Sequence, residues 1–213
     1  MVQYRPIRWF RIATPLGLVF VATALAPSDR SRIRLFPEAT EIRLAREAGA
    51  DTIARDADVY VFRGGEFVHA VTGTNGFACM VGRDTRFPSV FPMCFDPEGA
   101  RTLMRREMMK VELMAAGVPL DSVIPRVSAA TRDGRLQYPV QPTITYMMSP
   151  HQVLYDGERN IGAAHPHIMI FLPHASLDQF PRVLDSMGLD TIDSAGVLLI
   201  VNVPKWSDDR AAQ

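Results

Sequence analysis

The chain has 213 residues, with 23 basic and 23 acidic side chains, five histidines and two cysteines. This length suits one domain with a sizeable core. The balanced charge lacks the basic excess of nucleic-acid-binding domains, so the composition excludes an electrostatic footprint for nucleic acid.

The first 26 residues have the pattern of a secretory signal. Three arginines precede fifteen uncharged residues, which close on Ala-Leu-Ala, a small-x-small sequence typical of signal peptidase cleavage. The apolar run is short for a bilayer span of about 20 residues. We therefore expect residues 1–26 to be a cleavable signal peptide and residues 27–213 a single domain. That domain would be periplasmic or secreted, with no integral membrane segment. An uncleaved anchor or a buried helix is the alternative.

Helix signals come next in the chain. Pro37 suits a helix start and Gly49 a helix end, which predicts a helix between them. Asp51 is expected to cap a short helix that runs through Ile53 and Ala54.

Two turn dipeptides predict a three-stranded meander in the N-terminal half. Gly64-Gly65 separates two β-rich runs, as a two-residue hairpin requires, and Asn75-Gly76 predicts a second hairpin. The implied partners are Arg63 with Glu66, Phe62 with Phe67, Tyr60 with His69, Thr74 with Phe77, and Thr72 with Cys79. One face would carry Val59, Val61, Val68, Ala70, Cys79 and Val81, and the other Tyr60, Phe62, Phe67, His69, Val71 and Met80. Both faces are apolar, so we expect cover on both sides.

A long helix is predicted after this meander. Asp96 suits the N-cap, Pro97 the first turn and Gly117 the position after the last turn. Its methionines, at helical spacing, are read as core filler rather than a copper site. The basic side chains of this helix are read as a solvated face; they are Arg101, Arg105, Arg106 and Lys110.

The remaining segments alternate between helix and strand signals. Residues 119–134 predict a helix that contains Pro125, residues 142–150 a strand, and residues 151–160 a loop or turn. Residues 165–173 predict a buried strand, residues 176–188 a partly helical segment, and residues 195–204 a final strand buried on both faces. This order favours an α+β domain around a mostly antiparallel sheet packed with helices.

The two cysteines are expected to form a disulfide. An exported chain passes through an oxidising compartment, where two lone thiols usually pair. A Cys79–Cys94 bridge would stabilise the fold by about 3 kcal/mol in the chain-entropy model. It would also hold the proline-broken segment between the two cysteines against the sheet. Two free thiols are the alternative.

Four sequences occur in a fixed order along the chain: GTNGFACMVGR, PMCFDPEG, YMMSP and PHIMIFLP. This ordered set resembles a group of exported bacterial proteins of unassigned function, in which the patterns are GTNGFxCxVxR, PxC[FY]D, YMLS and PHxMx[FY]xP. The similarity covers roughly residues 40–203 and departs at Met148 and Leu172, where the group often has Leu and Ala. The resemblance implies export and a single domain, and it implies no reaction.

The chain lacks the common catalytic motifs. It has no GxSxG, HExxH, CxxC or glycine-rich phosphate loop. Strand alternation places His165, His167 and Met169 on one face of their strand, where an imidazole could meet a thioether or a phenol if residues 143–148 pair with it. Imidazole suits copper or zinc, and thioether suits Cu(I). A hydrogen-bonded core histidine is the alternative.

Two functional hypotheses arise from these residues. The first is an exported binding module for a small molecule or an envelope component. Its candidate ligand-binding residues are Asn75, Arg83, Tyr146 and His167. The second is a metal-assisted enzyme with Cu or Zn held by His165, His167 and Met169. The sequence names no catalytic residue and requires no cofactor, and a purely structural role remains open.

Overall fold

The computed structural model describes residues 33–84, 89–156, 159–163, 165–180, 187–192 and 194–203. The predicted signal peptide, residues 1–26, lies outside these ranges.

Five helices and ten strands occur within the described ranges. The helices are α1 Glu38–Arg46, α2 Asp51–Ala54, α3 Pro97–Arg101, α4 Leu103–Ala115 and α5 Leu120–Arg132. The strands are β1 Asp58–Arg63, β2 Glu66–Val71, β3 Ala78–Arg83, β4 Val90–Phe95, β5 Thr143–Met147, β6 Val153–Asp156, β7 Arg159–Ala163, β8 His167–Pro173, β9 Met187–Thr191 and β10 Gly196–Asn202.

All ten strands belong to one sheet. Its order is β2-β1-β3-β4-β5-β8-β10-β9, and the β6–β7 hairpin joins it through β4. Every described pairing is antiparallel apart from β1 with β3. The predicted α+β fold around a mostly antiparallel sheet is confirmed.

The first predicted hairpin has the expected register. Arg63 pairs with Glu66, and the pairs Phe62–Phe67 and Tyr60–His69 come next along the two strands. The two turn glycines take positive φ angles of 66° and 101°, which suit a tight turn. A bulge next to Tyr60 then pairs Val59 with Val71, so Val71 joins the opposite face from the one predicted.

The second predicted hairpin is wrong, and the three strands are not a meander. β3 pairs with β1 in parallel, with Val59 opposite Cys79, instead of pairing with β2. A β-carbon on Gly73 would clash with the backbone of Ala57 and Asp58, so the chain passes close to the start of β1 there. This close passage carries the chain across to the other side of β1, where β3 forms.

The helices predicted between residues 37 and 134 form, with two differences from the expectation. Asp96 is an N-cap, and it accepts from the backbone N–H of Gly99 at 2.7 Å. The single long helix is divided into α3 and α4 at Thr102, which has φ −122° and ψ −82°. The N-cap of α2 is Ala50 rather than Asp51, which lies in the first turn. Helix α5 accommodates Pro125 within its length.

Three segments form strands that the sequence did not predict. The expected loop at residues 151–160 contributes β6 and the start of β7. The proline-broken segment before Cys94 ends in β4, and the C-terminal part of the expected helical segment at residues 176–188 begins β9. Only a short 3₁₀ turn, Leu177–Gln179, is helical among the described residues of that last segment.

Helices cover both faces of the N-terminal half of the sheet. On one face, Leu44, Ala45 and Ala48 of α1 and the turn after it pack on Val59 and Val81. On the other face, Met104 and Met108 of α4 pack on Met80, Phe95 and Met147. Helix α5 packs against α4 through Val123. The expected cover on both sides of these strands is confirmed.

The C-terminal half of the sheet is less covered. Strands β8 and β10 were predicted to be buried, but most of their residues are only half-buried, and Phe171 and Val197 are the large residues there with no exposure. Among the described helices, none is long and apolar enough to cross a membrane.

Candidate functional site

Asn75 lies in the turn before β3, and its side chain is used within the fold. Its Nδ2 donates to the carbonyl oxygen of Ile53 at 2.7 Å, and its Oδ1 accepts from the backbone N–H of Phe77 at 3.1 Å. The backbone N–H groups of Thr74 and Asn75 both donate to the carbonyl of Asp56. Asn75 therefore fastens this turn to the end of α2.

Arg83 lies at the other end of β3 and is fully buried. Its Nη2 is 2.6 Å from Glu41 Oε1 in an ion pair whose two side chains are 0% and 1% exposed. Its Nη1 donates to the carbonyl of Val81 and its Nε to that of Arg34. Burial lowers the pKa of the Arg83 guanidinium from its ordinary value, and the Glu41 carboxylate opposes that change. This network joins α1 to β3.

Tyr146 and His167 lie on neighbouring strands but on opposite faces. Tyr146 is opposite Cys94 and packs in the layer under α1, with its ring centroid 6.3 Å from that of Phe77. His167 is opposite Met147, and its Nδ1 is 2.7 Å from the carbonyl oxygen of His165. The structure therefore does not gather the four predicted ligand-binding residues, and ligand binding by that set stays a prediction.

The expected pairing of residues 143–148 with residues 165–173 is present, because β5 and β8 are antiparallel neighbours. It places the Met147 thioether opposite His167 and Thr145 opposite Met169. In the part of the chain that the structure describes, no group of three or more His, Cys, Asp or Glu could hold a metal ion. Metal binding by His165, His167 and Met169 stays a prediction that depends on thioether ligands.

The predicted Cys79–Cys94 disulfide is present. The two residues are directly opposite on β3 and β4, with their Cα atoms 4.0 Å apart, and neither is exposed. The bridge therefore crosses two paired strands beneath α1, instead of holding an irregular segment against the sheet.

Asp96 joins the helical layer to the sheet on the other side. Besides capping α3, it accepts a hydrogen bond from the hydroxyl of Thr143 and one from the backbone N–H of Ile144 at 2.9 Å. A β-carbon on Gly99 would lie 2.7 Å from the Thr143 hydroxyl, so glycine permits this close approach. Asn75 and Arg83 of GTNGFACMVGR and Asp96 of PMCFDPEG thus attach helices and turns to the sheet.

Asp58 and His69 form a polar contact near the bulge of the first hairpin. Asp58 Oδ1 accepts from the backbone N–H of Gly73 at 2.8 Å and lies 2.9 Å from His69 Nε2. The hydrogen bond from Gly73 lowers the pKa of the Asp58 carboxyl from its ordinary value; partial burial opposes this and His69 adds to it. Asp58 is thereby held as a carboxylate that fixes the turn.

A cavity of about 420 Å³ lies between the sheet and helices α4 and α5, and we call it the sheet–helix cavity. Its sheet side includes Phe95, Thr145, Met169 and Leu198, on neighbouring strands. Ligand-binding cavities are typically about 300–1,000 Å³ and largely apolar, with few polar groups. The size and lining of this cavity match that description.

Three charged side chains from α4 line the same cavity. Lys110 Nζ is 2.6 Å from Glu107 Oε2. The guanidinium of Arg106 donates to the hydroxyl of Thr131 and stacks on the ring of Tyr138, with 4.5 Å from Arg106 Cζ to the ring centroid. Two of the three charged side chains on this side of the cavity are basic and one is acidic.

The residues that α4 contributes to the cavity share one face of the helix in the sequence. Leu103, Arg106, Glu107 and Lys110 recur at the three- and four-residue spacing of one helix face. The sequence predicts a solvated face for the basic side chains of this helix, but Arg106 is only 8% exposed. That interpretation is wrong for Arg106, because its guanidinium packs between α5 and Tyr138.

Comparison with known proteins identifies no relative of this chain. No family model, no curated protein and no solved structure matches the chain.

Proposed function

We propose that the protein is an exported binding module whose sheet–helix cavity takes a small, largely apolar ligand that carries an anionic group. The observation that carries this proposal is the cavity itself, with its apolar sheet side and its cationic side chains on α4. Met93 and Met169 give the lining adaptable side chains, which suits a ligand of irregular shape.

Export is supported by the signal-like sequence of residues 1–26 and by the disulfide. The resemblance to exported bacterial proteins points the same way. We expect the mature chain to begin at Pro27. Intact mass of the exported protein tests this, because a mass that retains residues 1–26 would favour a membrane anchor.

Titration with anilinonaphthalene sulfonate tests the binding proposal, since this dye combines apolar rings with an anionic group. Wild-type protein should bind one dye per chain with a saturable rise in fluorescence. Leu198→Trp should abolish this, because the larger ring fills the cavity that Leu198 lines.

Leu199→Trp is the matched control. Leu199 is the next residue of β10, is also half-buried and points to the opposite face of the sheet. It should leave dye binding unchanged. Absence of saturable binding by the wild type, or equal loss in both variants, would refute the proposed site.

A further inference from the structure

A second cavity, of about 600 Å³, lies where α5 ends beside two turns of the sheet, and we call it the turn cavity. One turn comes directly after β8 and contains His174, and the other precedes β10 and contains Ser194. The residues that line the cavity are Ser128, Arg132, Tyr138, His174, Ser194 and Ala195, together with Pro139. None of them lines the sheet–helix cavity, so a ligand of the turn cavity is independent of the proposed function.

Two residues of this lining have an unusual backbone conformation. His174 has φ 61° and Ser194 has φ 69°, and among the described residues these are the non-glycine residues with positive φ. Such conformations cost free energy for residues with a β-carbon, and they cluster at functional sites. Both occur in the wall of one cavity.

The two turns are fixed to one another by backbone contacts. The N–H of His174 donates to the carbonyl of Ala195 at 2.9 Å. A β-carbon on Gly196 would clash with the carbonyl of Leu172, so the strands that lead into the turns are in close contact. His174 and Ser194 are therefore presented from a fixed frame.

The polar groups of the lining favour a negatively charged ligand. Arg132 contributes a guanidinium, and the structure gives its side chain no hydrogen bond or ion pair with any described residue. The imidazole of His174 and the hydroxyl of Ser194 can both donate hydrogen bonds. Among the described residues, no Asp or Glu lines the cavity to oppose an anion.

We infer that the turn cavity binds a small oxyanion, a phosphate or sulfate group, through Arg132, His174 and Ser194. The guanidinium supplies paired donors that match two oxygens of such a group. The group is either a free ion or the terminal phosphate or sulfate of a larger molecule.

Amide chemical shifts during titration with sodium phosphate, at ionic strength held constant with sodium chloride, test this site. We expect saturable shifts at Arg132, His174 and Ser194. Arg132→Gln should weaken phosphate binding by about tenfold or more, as expected for loss of a charge-assisted hydrogen bond. Arg126→Gln, on the same helix but outside the cavity lining, should leave the affinity unchanged.

Ser194→Gly separates ligand binding from folding. Glycine adopts positive φ without steric cost, so this variant should have a melting midpoint no lower than that of the wild type. It should nevertheless bind phosphate more weakly, since the hydroxyl is lost. Unchanged phosphate affinity in this variant would overturn the assignment of Ser194.

Butyl phosphate distinguishes the two sources of the anion. A site for free ions should bind it more weakly than inorganic phosphate, and a site for a terminal group should bind it at least as well. Either order supports the oxyanion site. No saturable shift in the wild type with either probe, or equal weakening by Arg126→Gln and Arg132→Gln, would overturn it.

Discussion

The two halves of this sheet differ in how they are covered. In the N-terminal half, β3 is buried at every residue between α1 on one face and α4 on the other. In the C-terminal half, β8 and β10 are equally apolar in sequence but mostly half-buried. Each contributes one residue to the sheet–helix cavity, which also reaches β4, β5, α4 and α5. The N-terminal half is therefore stabilised by burial on both faces, and the C-terminal half leaves apolar residues that a ligand can contact.

The buried ion pair between Glu41 and Arg83, in the N-terminal half, gives the largest expected effect on stability. Glu41→Gln should lower the free energy of unfolding by about 3–5 kcal/mol, because it leaves the Arg83 charge buried without its counter-charge. Urea unfolding measures this. Glu38→Gln, on the same helix, breaks an exposed ion pair with Arg63 and should cost about 0–1 kcal/mol. Similar losses in both variants would show that the buried pair has no special role.

The disulfide of the same half gives the next effect. The Cys79→Ala, Cys94→Ala double variant should be less stable by about 3 kcal/mol, since the bridge spans a sequence separation of 15 residues. Reduced wild type should show a similar loss in urea unfolding, and this control retains both sulfur atoms. If oxidised and reduced wild type were equally stable, the bridge would not stabilise the fold.

A matched pair of valines compares the two halves directly. Val81→Ala, at 0% exposure in β3, should cost about 2 kcal/mol through lost burial and the space left behind. Val201→Ala in β10 should cost about half of that, because Val201 is only half-buried. Equal losses in thermal or urea unfolding would contradict the difference in cover.

Acid stability should depend on Asp58. Because its pKa is lowered in the folded state from an ordinary value near 3.8, its contribution to stability is present above that pH and is lost as the pH falls through the folded-state value. The unfolding free energy of the wild type should therefore fall more steeply below about pH 4 than that of Asp58→Asn. If the unfolding free energies of the two proteins fell in parallel with pH, Asp58 would not contribute to the loss of stability in acid.

The smallest effect concerns His167 and metal. If His165, His167 and Met169 hold a metal, Zn²⁺ or Cu²⁺ should raise the melting midpoint of the wild type, because binding to the folded state alone stabilises it. The contact of His167 Nδ1 with the carbonyl of His165 leaves Nε2 for the metal. His167→Ala should lose the rise, and an unshifted wild type, or an equal shift in the variant, would show that His167 is no ligand.

Local signals in the sequence predicted local structure well. Gly64-Gly65 determined both a turn and its register, because a two-residue loop leaves little freedom. Asp96, Pro97 and Gly117 marked helix ends, because capping and a positive φ after the last turn are also local requirements. Asn75-Gly76 looked equally clear but failed, because the Asn75 amide bonds to Ile53, which is distant in sequence.

The unpredicted features depend on long-range packing. The sequence did not predict β4, because proline is rare inside a sheet and Pro92 lies in the middle of this strand. On one edge of β4, β6 pairs at Val90 and β5 pairs at Cys94 and Phe95. Pro92 lies between these pairings, where no strand partner is described on that edge. The pairing of Arg83 with Glu41 joins residues 42 positions apart, and no pattern in the sequence connects them. The cavity depends on where α5 packs, which its own helical pattern does not specify.

Hydrogen–deuterium exchange with and without anilinonaphthalene sulfonate tests the central claim, that a ligand binds where the less covered half of the sheet meets α4 and α5. The dye should slow exchange in α4, α5, β8 and β10 and leave α1, β1 and β3 unchanged. Slower exchange in α1 and β3, or no change in the segments that line the sheet–helix cavity, would contradict the account.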